Sequence, residues 1–511
     1  MIKSQEKPKK IHFIGIGGIG VSALARYYLA RGAQVSGSDV AESEIIEELR
    51  RLGAKIPPSP PFAKGGEVPD LVVYSAAVEE NNLELVEARA RGIKCQIYAQ
   101  ALGELTKKYF TIAVSGTHGK STTTAMIGLI LEAAGLNPTV IVGTKVRWNE
   151  PHPNPLLGKE REKVLSNFRL GHSKYLVIEA DEYSASILNY WPKIIVLTNI
   201  EEDHLDYYRN LKHIMETFAE YIFHLGKDGA LVVNGEDENA RKIAAATKCK
   251  VVYYSSSESR EAGRVEKLNK VGVLDGAPPN CGARRSNNNL PELDLKIPGK
   301  HNLSNVAAAM AVAKLLKIPD KISIKTLNNF SGTWRRMEYK GKVNGAKIYD
   351  DYGHHPTEIK ATLQGARELL FKRAERVENL KTNFSTSSRF AGLRSKNKRR
   401  ENLWCVFQPH QFQRTYQLFD KFANAFGDAD KVILLPIYSV AGREKEEIKK
   451  KVSSQMLALC LKAQSKPKEV IYLNDFNAAK EYLMKNLKKD DICVIMGAGD
   501  IYKLTEILLK S

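Results

Sequence analysis

Two glycine-rich turns set the fold class of this chain, because each stands between a short apolar run and a helical stretch. The first turn lies in IHFIGIGGIGVSALARYYLA, and the second lies in FTIAVSGTHGKSTTTAMIGLILEAAG. A buried strand, a tight turn and a helix in that order begin a βαβ unit, which places its strands in a parallel sheet. The sequence therefore predicts an α/β protein.

The first turn contains Gly15, Gly17 and Gly20 in the spacing G-x-G-x-x-G, and Asp39 follows the next strand. Such a turn lets the backbone approach a diphosphate closely and directs a helix N-terminus at its negative charge. The pattern predicts a diphosphate site, and because it does not specify the nucleoside, an NAD-dependent oxidoreductase is one alternative. A glycine turn needed only for packing is another.

The second turn reads SGTHGKSTTT, a phosphate loop shorter than the full Walker A spacing because Val114 stands where that motif has glycine. Backbone N–H groups of the loop can hold phosphates, Lys120 can reach the β and γ oxygens, and Ser121 or Thr122 can offer a hydroxyl to Mg²⁺. We expect ATP to contact seven consecutive residues: Gly116, Thr117, His118, Gly119, Lys120, Ser121 and Thr122.

Two candidates for further magnesium ligands stand just beyond strand-like runs, where the ligand sites of parallel sheets gather. Glu179 lies in IEADE and His204 lies in NIEEDHLDYY. Together with Ser121 they form the predicted metal site. The alternatives are an ordinary acidic loop around Glu179 and a hydrogen-bonded surface histidine at His204.

Apolar runs alternating with helical stretches continue to the C-terminus, and 511 residues exceed the size of a single hydrophobic core. We expect three domains: an N-terminal Rossmann-like domain at 1–107, a central P-loop ATPase-like domain with a parallel sheet at 108–328, and a C-terminal Rossmann-like domain at 329–511. The stretches 147–173 and 257–290 are weakly patterned, and the second is predicted to be a loop insertion.

The formal charge of +19 raises the question of nucleic-acid binding. Much of the positive charge falls in residues 371–400, which lack apolar periodicity and have a middle rich in Ser, Thr and Asn. Since no aromatic-interleaved or recognition-helix pattern accompanies it, the stretch is predicted to be a solvated, mobile insertion of the C-terminal domain. A nucleic-acid-binding ATPase remains an alternative, and no nucleic-acid partner is expected.

The cellular compartment is predicted from the signal-peptide, membrane-span and cysteine patterns of the sequence. The basic N-terminus MIKSQEKPKK runs directly into glycines instead of the apolar core of a signal peptide, and no run of about twenty apolar residues occurs. The six cysteines form no CxxC pair and no cluster with metal-ligand spacing. We therefore expect a cytoplasmic protein with reduced thiols and no membrane insertion.

A series of motifs, in order along nearly the whole chain, resembles the Mur ligases of bacterial cell-wall synthesis. The matching strings are GIGGIGVSALA, SGTHGKSTTT, EADE, TNIEEDHLD, GKHNLSNVAAA, FSGTWRRME, DDYGHHPTEI, FQPHQFQRT and MGAGDI. The resemblance implies a UDP-binding N-terminal domain, ATP and Mg²⁺ as cofactors, and UDP-N-acetylmuramate as a substrate. In this family ATP phosphorylates the lactyl carboxylate of the sugar, and an amine then attacks the acyl phosphate.

The resemblance also implies roles for individual residues. It makes Arg336, beside Arg335, an arginine near the ATP phosphates, and Asp351 the carboxylate at the nucleotide ribose, while His301, Asn302 and Asn305 match the adenine-side motif. The expected catalytic residues are Lys120, His204, Arg336, His355 and Arg414. The expected substrate-binding residues are Gly15, Gly17, Gly18, Gly20, Asp39, Ser75, His355 and Arg414.

Three features bear on the incoming amine. The pair His354 and His355 is typical of the branch that adds L-alanine and of the related branch that recycles a tripeptide, although a buried, hydrogen-bonded pair that ends a strand is the alternative. Gln411 stands where the family commonly has arginine, and EADEYS replaces the commoner EADESD, as in the recycling branch. We expect L-alanine addition by a monomer or homodimer, with tripeptide recycling as the alternative.

Overall fold

The computed structural model describes residues 10–57, 68–148, 165–256, 272–275, 293–384, 401–440, 444, 446–464 and 467–510. The chain divides into two compact units. The first unit consists of Met1–Glu202, Asn210–Asp294 and Ser304–Thr333, and the second consists of Asp203–Arg209, Leu295–Leu303 and Trp334–Ser511.

The N-terminal sheet of the first unit has four parallel strands in the order β2-β1-β3-β4. The strands are β1 (Lys10–Ile14), β2 (Gln34–Ser38), β3 (Leu71–Tyr74) and β4 (Cys95–Ile97), and the helices are α1 (Ile19–Ala30), α2 (Glu44–Arg51), α3 (Leu83–Ala90) and α4 (Tyr98–Thr106). Because β2 and β3 lie on opposite sides of β1, the order reverses there. Ligands of such sheets bind beyond the strand ends at this point.

The central sheet, also in the first unit, has eight strands in the order β12-β11-β10-β9-β5-β8-β6-β7. They are β5 (Phe110–Ser115), β6 (Thr139–Arg147), β7 (Leu165–Arg169), β8 (Tyr175–Glu179), β9 (Ile194–Leu197), β10 (Ala230–Asn234), β11 (Lys250–Ser255) and β12 (Gly272–Asp275). The two edge pairs, β6 with β7 and β11 with β12, are antiparallel, whereas the interior is parallel.

The helices of the central domain mostly begin after the loops at the carboxyl ends of the strands. They are α5 (Lys120–Ala133), the 3₁₀ helix Tyr183–Asn189, α6 (Leu211–Ile222), α7 (Glu238–Ala244), α8 (Lys300–Leu315) and α9 (Asp320–Asn328). Side chains of Asn210 and Asp237 accept backbone N–H groups at the starts of α6 and α7, which satisfies donors that a helix leaves open.

The sheet of the second unit has six strands in the order β13-β14-β18-β15-β16-β17, with β13 antiparallel. The strands are β13 (Glu338–Val343), β14 (Ala346–Asp351), β15 (Leu403–Phe407), β16 (Lys431–Leu434), β17 (Glu469–Tyr472) and β18 (Ile492–Met496). The helices are α10 (Pro356–Phe384), α11 (Phe412–Gln417), α12 (Phe419–Ala423), α13 (Glu446–Lys449), α14 (Ser454–Lys462), α15 (Phe476–Asn486) and α16 (Tyr502–Leu509).

Both faces of this sheet are buried at its centre, which explains why its interior strands β15 and β18 are continuously apolar in sequence. Cys405 and Phe407 belong to the core on one face, and Trp404 and Val406 belong to the core on the other. Successive side chains of a strand point to opposite faces, so a strand covered on both sides needs apolar residues at every position.

The three-domain α/β prediction is confirmed, since each predicted domain contains one sheet with a parallel interior. Two details differ. Helix α10 continues through Phe384, so the backbone of 371–384 is helical rather than irregular, and residues 385–400 lie outside the described residues. The weakly patterned stretches contain strands β7 and β12, which are too short to carry a clear alternation.

Two further observations concern cysteines and membranes. The described cysteines Cys95, Cys249, Cys405, Cys460 and Cys493 are free thiols, as predicted, and Cys281 lies outside the described residues. Among the described helices, none combines the length and the apolar character needed to cross a membrane.

Candidate active site

The first glycine turn lies where the strand order of the N-terminal sheet reverses. Gly15 has a φ of +78°, and the N–H groups of Gly15 and Ile16 donate to the carbonyl of Ser38 at 2.8 and 3.0 Å. A Cβ atom at Gly15 would lie 3.0 Å from the Cβ of Ser75, which follows β3. Gly15 and Ser75, two predicted substrate contacts, are thus neighbours at the same edge of the sheet.

The other residues predicted for the diphosphate surround the start of α1. The N–H of Gly17 donates to Asp39 Oδ2 at 2.8 Å, so this carboxylate holds the turn to the end of β2. Gly18 is the N-cap of α1 and offers no side-chain cap, and Gly20 lies in the first turn of the helix. A helix N-terminus without a side-chain cap leaves backbone N–H groups for an anion.

The phosphate loop joins β5 to α5 and depends on two glycines with positive φ. Gly119, the N-cap of α5, has a φ of +83°, and Gly116 has a φ of +127°. A side chain at Gly116 would collide with the Thr198 hydroxyl and come within 2.8 Å of the Asn199 carbonyl. The loop therefore keeps its close course along the end of β9 only with glycine at 116.

Asn199, directly after β9, fixes the middle of the loop. Its carbonyl accepts the N–H of Thr117 at 3.0 Å, and its side-chain Oδ1 accepts the N–H of His118 at 2.8 Å. The Thr198 hydroxyl donates to the His118 carbonyl at 2.7 Å. Sequence reasoning missed Thr198 and Asn199, although both lie in the TNIEEDHLD string that pointed to His204.

The ammonium of Lys120 lies over the loop that precedes it. Nζ donates to the carbonyls of Gly116 and Thr117 at 2.7 and 3.1 Å and to Glu182 Oε2 at 2.8 Å, with Asp181 Oδ1 at 3.9 Å. Burial acts to lower the pKa of Lys120, but the carboxylates of Glu182 and Asp181 outweigh it and raise the pKa. Lys120 is therefore a fixed positive charge at the loop.

Ser121 and Glu179 meet beside Lys120. The Ser121 hydroxyl donates to Glu179 Oε1 at 2.8 Å, and the N–H of Gly143 donates to Glu179 Oε2 at 2.6 Å. Burial raises the pKa of Glu179, although Lys120 and the bond from Ser121 partly offset this. A hydroxyl and a carboxylate are the hard oxygen ligands that Mg²⁺ prefers, so these two predicted ligands fit the ion.

The first turn of α5 is also tied to a distant helix. Thr122 and Thr123 are buried, and the Thr123 hydroxyl donates to Asn305 Oδ1 at 3.2 Å. Asn305 is in α8, and a Cβ atom at Gly119 would lie 2.5 Å from the same oxygen. Within the first unit Asn305 therefore supports the loop from behind.

Two predicted residues of the second unit are Arg336, just before β13, and Asp351, the last residue of β14. Both carboxylate oxygens of Asp351 accept backbone N–H groups, from Met337 at 2.8 Å and from Gly353 at 2.7 Å. Burial raises the pKa of Asp351 to about 6 despite these bonds and the nearby Arg336. In this structure Asp351 thus orders the loops that carry Arg336.

The two neighbouring arginines have different environments. Arg335 is buried, donates to Asp350 Oδ1 at 3.1 Å and to the Gly497 carbonyl at 2.6 Å, and is a structural cation. Arg336 is less buried and donates to Glu358 Oε1 at 3.1 Å while lying over the ring of Tyr352. Of the pair, Arg336 is therefore the more accessible to solvent.

The adenine-side motif predicted from sequence is divided between the units. Asn302 belongs to the second unit, where its side-chain amide donates to the Pro298 carbonyl at 2.6 Å. Burial, together with Arg336, lowers the pKa of His301 to about 4. His301 is therefore neutral at ordinary pH.

His354 and His355 lie at the start of α10 with Glu358. Glu358 Oε2 accepts the N–H of His354 at 3.0 Å, and His355 Nδ1 accepts the N–H of Thr357 at 3.3 Å. Burial, and next Arg414, lower the pKa of His354 well below its usual range. Because Nδ1 of the buried His355 is an acceptor, its proton is on Nε2.

Arg414 and His204 lie around one pocket of the second unit. Nε and Nη2 of Arg414 donate to Asp203 Oδ1 at 3.2 and 3.1 Å, and Arg414, with smaller help from His204, holds the pKa of Asp203 well below its usual range against the effect of burial. The pocket has about 240 Å³ of empty space, part of which is open solvent, and Gln411, with a φ of +71°, also lines it. The structure thus groups His204 with Arg414 and His355 in the second unit.

Comparisons with protein families match all three parts of the chain. Residues 10–110 match the model described as Mur ligase family, catalytic domain; residues 114–313 match the Mur ligase middle domain; and residues 335–377 and 385–499 match the Mur ligase, glutamate ligase domain. The chain belongs to the Mur ligase family.

Particular members of the family resemble the chain over its whole length. A protein of Acetivibrio thermocellus named UDP-N-acetylmuramate--L-alanine ligase is 36% identical, with 100% of this chain and 97% of that protein covered. The crystal structure of the UDP-N-acetylmuramate-alanine ligase of Thermotoga maritima has a TM-score of 0.71 at 27% identity, with 98% of each chain covered. A murein peptide ligase of Psychrobacter arcticus shares the fold, with a TM-score of 0.64 at 22% identity and 98% of each chain covered.

Proposed function

We propose that this chain is an ATP-dependent ligase that joins L-alanine to the lactyl carboxylate of UDP-N-acetylmuramate through an acyl phosphate, in peptidoglycan precursor synthesis. The observation that carries the chemistry is the fixed Lys120 ammonium over the glycine-bounded loop, beside Ser121 and Glu179. Such an arrangement serves phosphoryl transfer, which requires mainly positioning and neutralisation of charge.

The choice of substrates is supported by the relatives. Full-length relatives of this chain carry the name UDP-N-acetylmuramate--L-alanine ligase, and the glycine turn of the N-terminal sheet supplies a place for a diphosphate. Family membership also favours a ligase over the NAD-dependent oxidoreductase and the nucleic-acid-binding ATPase, because neither alternative accounts for both glycine turns.

In the phosphoryl-transfer step Lys120 and the loop N–H groups that Asn199 does not engage hold the ATP phosphates and offset the charge that develops on the oxygens. Ser121 and Glu179 would hold Mg²⁺, which when bound would neutralise further phosphate charge. Arg336, near Tyr352 and within reach of solvent, would contact the nucleotide phosphates, as the family resemblance implies. The adenine is assigned to the region of Asn302 and the ribose to that of Asp351.

In the second step the amine of L-alanine attacks the acyl phosphate, and a tetrahedral intermediate releases phosphate. We assign the pocket of Arg414 and Gln411 to the amino acid, since an arginine recognises a carboxylate. His355 and His204 are the remaining predicted catalytic groups, and His204 is also the third proposed magnesium ligand.

The proposal extends to properties of the whole protein. We propose domain borders at 1–107, 108–328 and 329–511, a cytoplasmic location, and a monomer or homodimer. These follow from the sequence pattern and from the family resemblance.

The decisive experiment is ADP formation by the purified protein with ATP, Mg²⁺ and UDP-N-acetylmuramate, with L-alanine, glycine, L-serine and the L-Ala-γ-D-Glu-containing tripeptide tested separately. Turnover with L-alanine that stops when any one component is omitted is the expected result. Turnover with the tripeptide alone would instead assign the chain to the recycling branch, and no turnover with any amine would overturn the substrate assignment.

A further inference from the structure

Tyr98, the first residue of α4, lies against the first turn of α1. A Cβ atom at Gly20 would be 3.0 Å from both Cζ and the hydroxyl oxygen of Tyr98. The glycine at position 20 therefore leaves room for a phenol at the edge of the diphosphate turn. The sequence alone gave Gly20 a role in the turn but gave no sign of Tyr98.

The other end of α4 is fixed to the segment that connects β8 and β9 of the central sheet. Gly103 packs so closely on Asn189 that a side chain at 103 would collide with its carbonyl, and the Thr106 hydroxyl accepts the N–H of Trp191 at 2.9 Å. Asn189 ends the 3₁₀ helix that directly follows Asp181 and Glu182, the carboxylates around Lys120. One short helix thus connects the diphosphate turn to the acidic side of the phosphate loop.

The Tyr98 hydroxyl is able to act as a hydrogen-bond donor. Burial raises the pKa of Tyr98, and the carboxyl groups of Glu179 and Asp181 raise it further, so the phenol keeps its proton. Within the described part of the chain, no residue forms a hydrogen bond with this hydroxyl, and the side chain is only partly buried. A phenol hydroxyl without a protein partner, on a side chain that solvent still reaches, can donate to a bound ligand without breaking a bond within the protein.

A substrate that runs from the diphosphate turn toward the phosphate loop passes this hydroxyl. The sugar of a UDP-sugar is attached to the diphosphate, and its carboxylate has to reach the γ-phosphate of ATP. Tyr98 lies on this path, because it touches Gly20 at the diphosphate turn and begins the helix that packs on Asn189, in the segment that follows Asp181 and Glu182.

We propose that Tyr98 is a substrate-binding residue whose hydroxyl donates a hydrogen bond to the diphosphate or the sugar of the bound UDP-sugar. The inference rests on the proposed function, since it takes UDP-N-acetylmuramate as that ligand. It adds a contact in α4 to the glycine turn and Ser75.

The test is Tyr98→Phe, which removes the hydroxyl and keeps the ring. Binding of UDP-N-acetylmuramate is measured by titration calorimetry without ATP, and KM is measured for each substrate. We expect the Kd and KM for UDP-N-acetylmuramate to rise about tenfold, as for loss of a hydrogen bond to a charged group, with the KM for ATP and for L-alanine unchanged. The control is Tyr28→Phe, the same change near the other end of α1.

The outcomes separate the two proposals. A Tyr98→Phe protein that binds the UDP-sugar like the wild type, or that loses thermal stability with all three KM values altered together, would overturn the assignment of Tyr98 while leaving the ligase intact. A wild-type protein that does not bind UDP-N-acetylmuramate would overturn the proposed function, and the role of Tyr98 with it.

Discussion

At the scale of single residues, the phosphate loop is shaped by side chains far away in the sequence. Asn199 accepts two of the loop N–H groups, Asn305 lies behind Gly119, and Glu182 binds Lys120. These contacts leave the turn little freedom before a nucleotide arrives. Preorganised donors are effective because they need no rearrangement when charge develops.

The first residue-scale prediction concerns Lys120. Lys120→Ala removes the only charge among the seven consecutive residues predicted to contact ATP, apart from His118 when protonated, so kcat should fall about a thousandfold or more. ADP formation with saturating substrates measures it. Lys212→Ala, at an exposed position of α6, is the control and should keep the wild-type rate. A Lys120→Ala protein with a wild-type rate would refute the role of the loop.

The second prediction concerns Gln411, which lines the pocket with Arg414 and has a backbone conformation that favours glycine. Gln411→Arg adds a cation where the family commonly has one. We expect the KM for L-alanine to change about tenfold while the KM for ATP stays constant. The exposed Gln417→Arg, at the rim of the same pocket, is the matched control. Equal effects of both changes would assign the amino acid elsewhere.

Local patterns predicted the residues that define each turn but not their partners. Gly15, Gly116, Gly119 and Lys120 could be found because strand, glycine turn and helix are consecutive in the chain. Asn199 and Tyr98 could not, because their partners are distant in sequence and polar or aromatic residues of this kind are common without such a role. Residues that are distant in sequence, such as these, come into contact only when the chain has folded.

At the scale of secondary-structure elements, the hairpin of β6 and β7 carries polar contacts to the N-terminal helices. The buried Asn167 of β7 donates to the Ile19 carbonyl and the Ser22 hydroxyl in the first turn of α1. Lys145 of β6 donates to Glu44 at 3.0 Å and to Glu48 at 3.1 Å on α2. Both strands thus help to place the diphosphate turn.

The element-scale prediction follows from burial of the Lys145 ammonium. Among the described residues, Lys145→Met leaves Arg26 as the ion-pair partner of Glu48 and leaves Glu44 beside Glu48 without the ammonium between them. We therefore expect a loss of about 2 kcal/mol in the free energy of unfolding of the first unit. Thermal unfolding measures the loss. Lys250→Met, at an exposed position of strand β11, should change little. Equal midpoints for the two variants would show that the ion pairs do not stabilise the hairpin.

Long apolar strands were predicted better than edge strands for a physical reason. Strands β5, β8, β9 and β15 are buried on both faces, so they read as continuous apolar runs. Strands at the sheet edges, such as β13 with the sequence EYKGKV, alternate weakly and contain charges. Tertiary pairing, not local preference, makes them strands.

At the scale of the whole molecule, pH should alter stability through His301, which the fold holds neutral. Folded His301 has a pKa of about 4, compared with an ordinary value of 6.5. As the pH falls below the ordinary pKa of histidine, His301 in the unfolded chain binds a proton, whereas His301 in the folded chain stays neutral. The stabilisation that comes from neutral His301 is thus fully present above about pH 6.5. It is lost as the pH falls toward about 4, a loss of about 3 kcal/mol in the free energy of unfolding.

The measurement for this prediction is urea unfolding between about pH 7.5 and about pH 5. His301→Asn should show a smaller decrease in stability over that interval than the wild type, because the titrating group is gone. His172→Asn, at an exposed position, should follow the wild type. An unchanged pH dependence in His301→Asn would show that His301 is not held neutral by the fold.

Helix α4 also sets where two relatives can be recombined. A hybrid joined at residue 107 would place Gly103 from one parent against Asn189 from the other, at a contact with no space for a side chain. A seam before Tyr98 keeps that contact but divides Gly20 from the phenol that fills its space. Hybrid enzymes of this family should therefore inherit Gly20, Tyr98, Gly103 and Asn189 as one set.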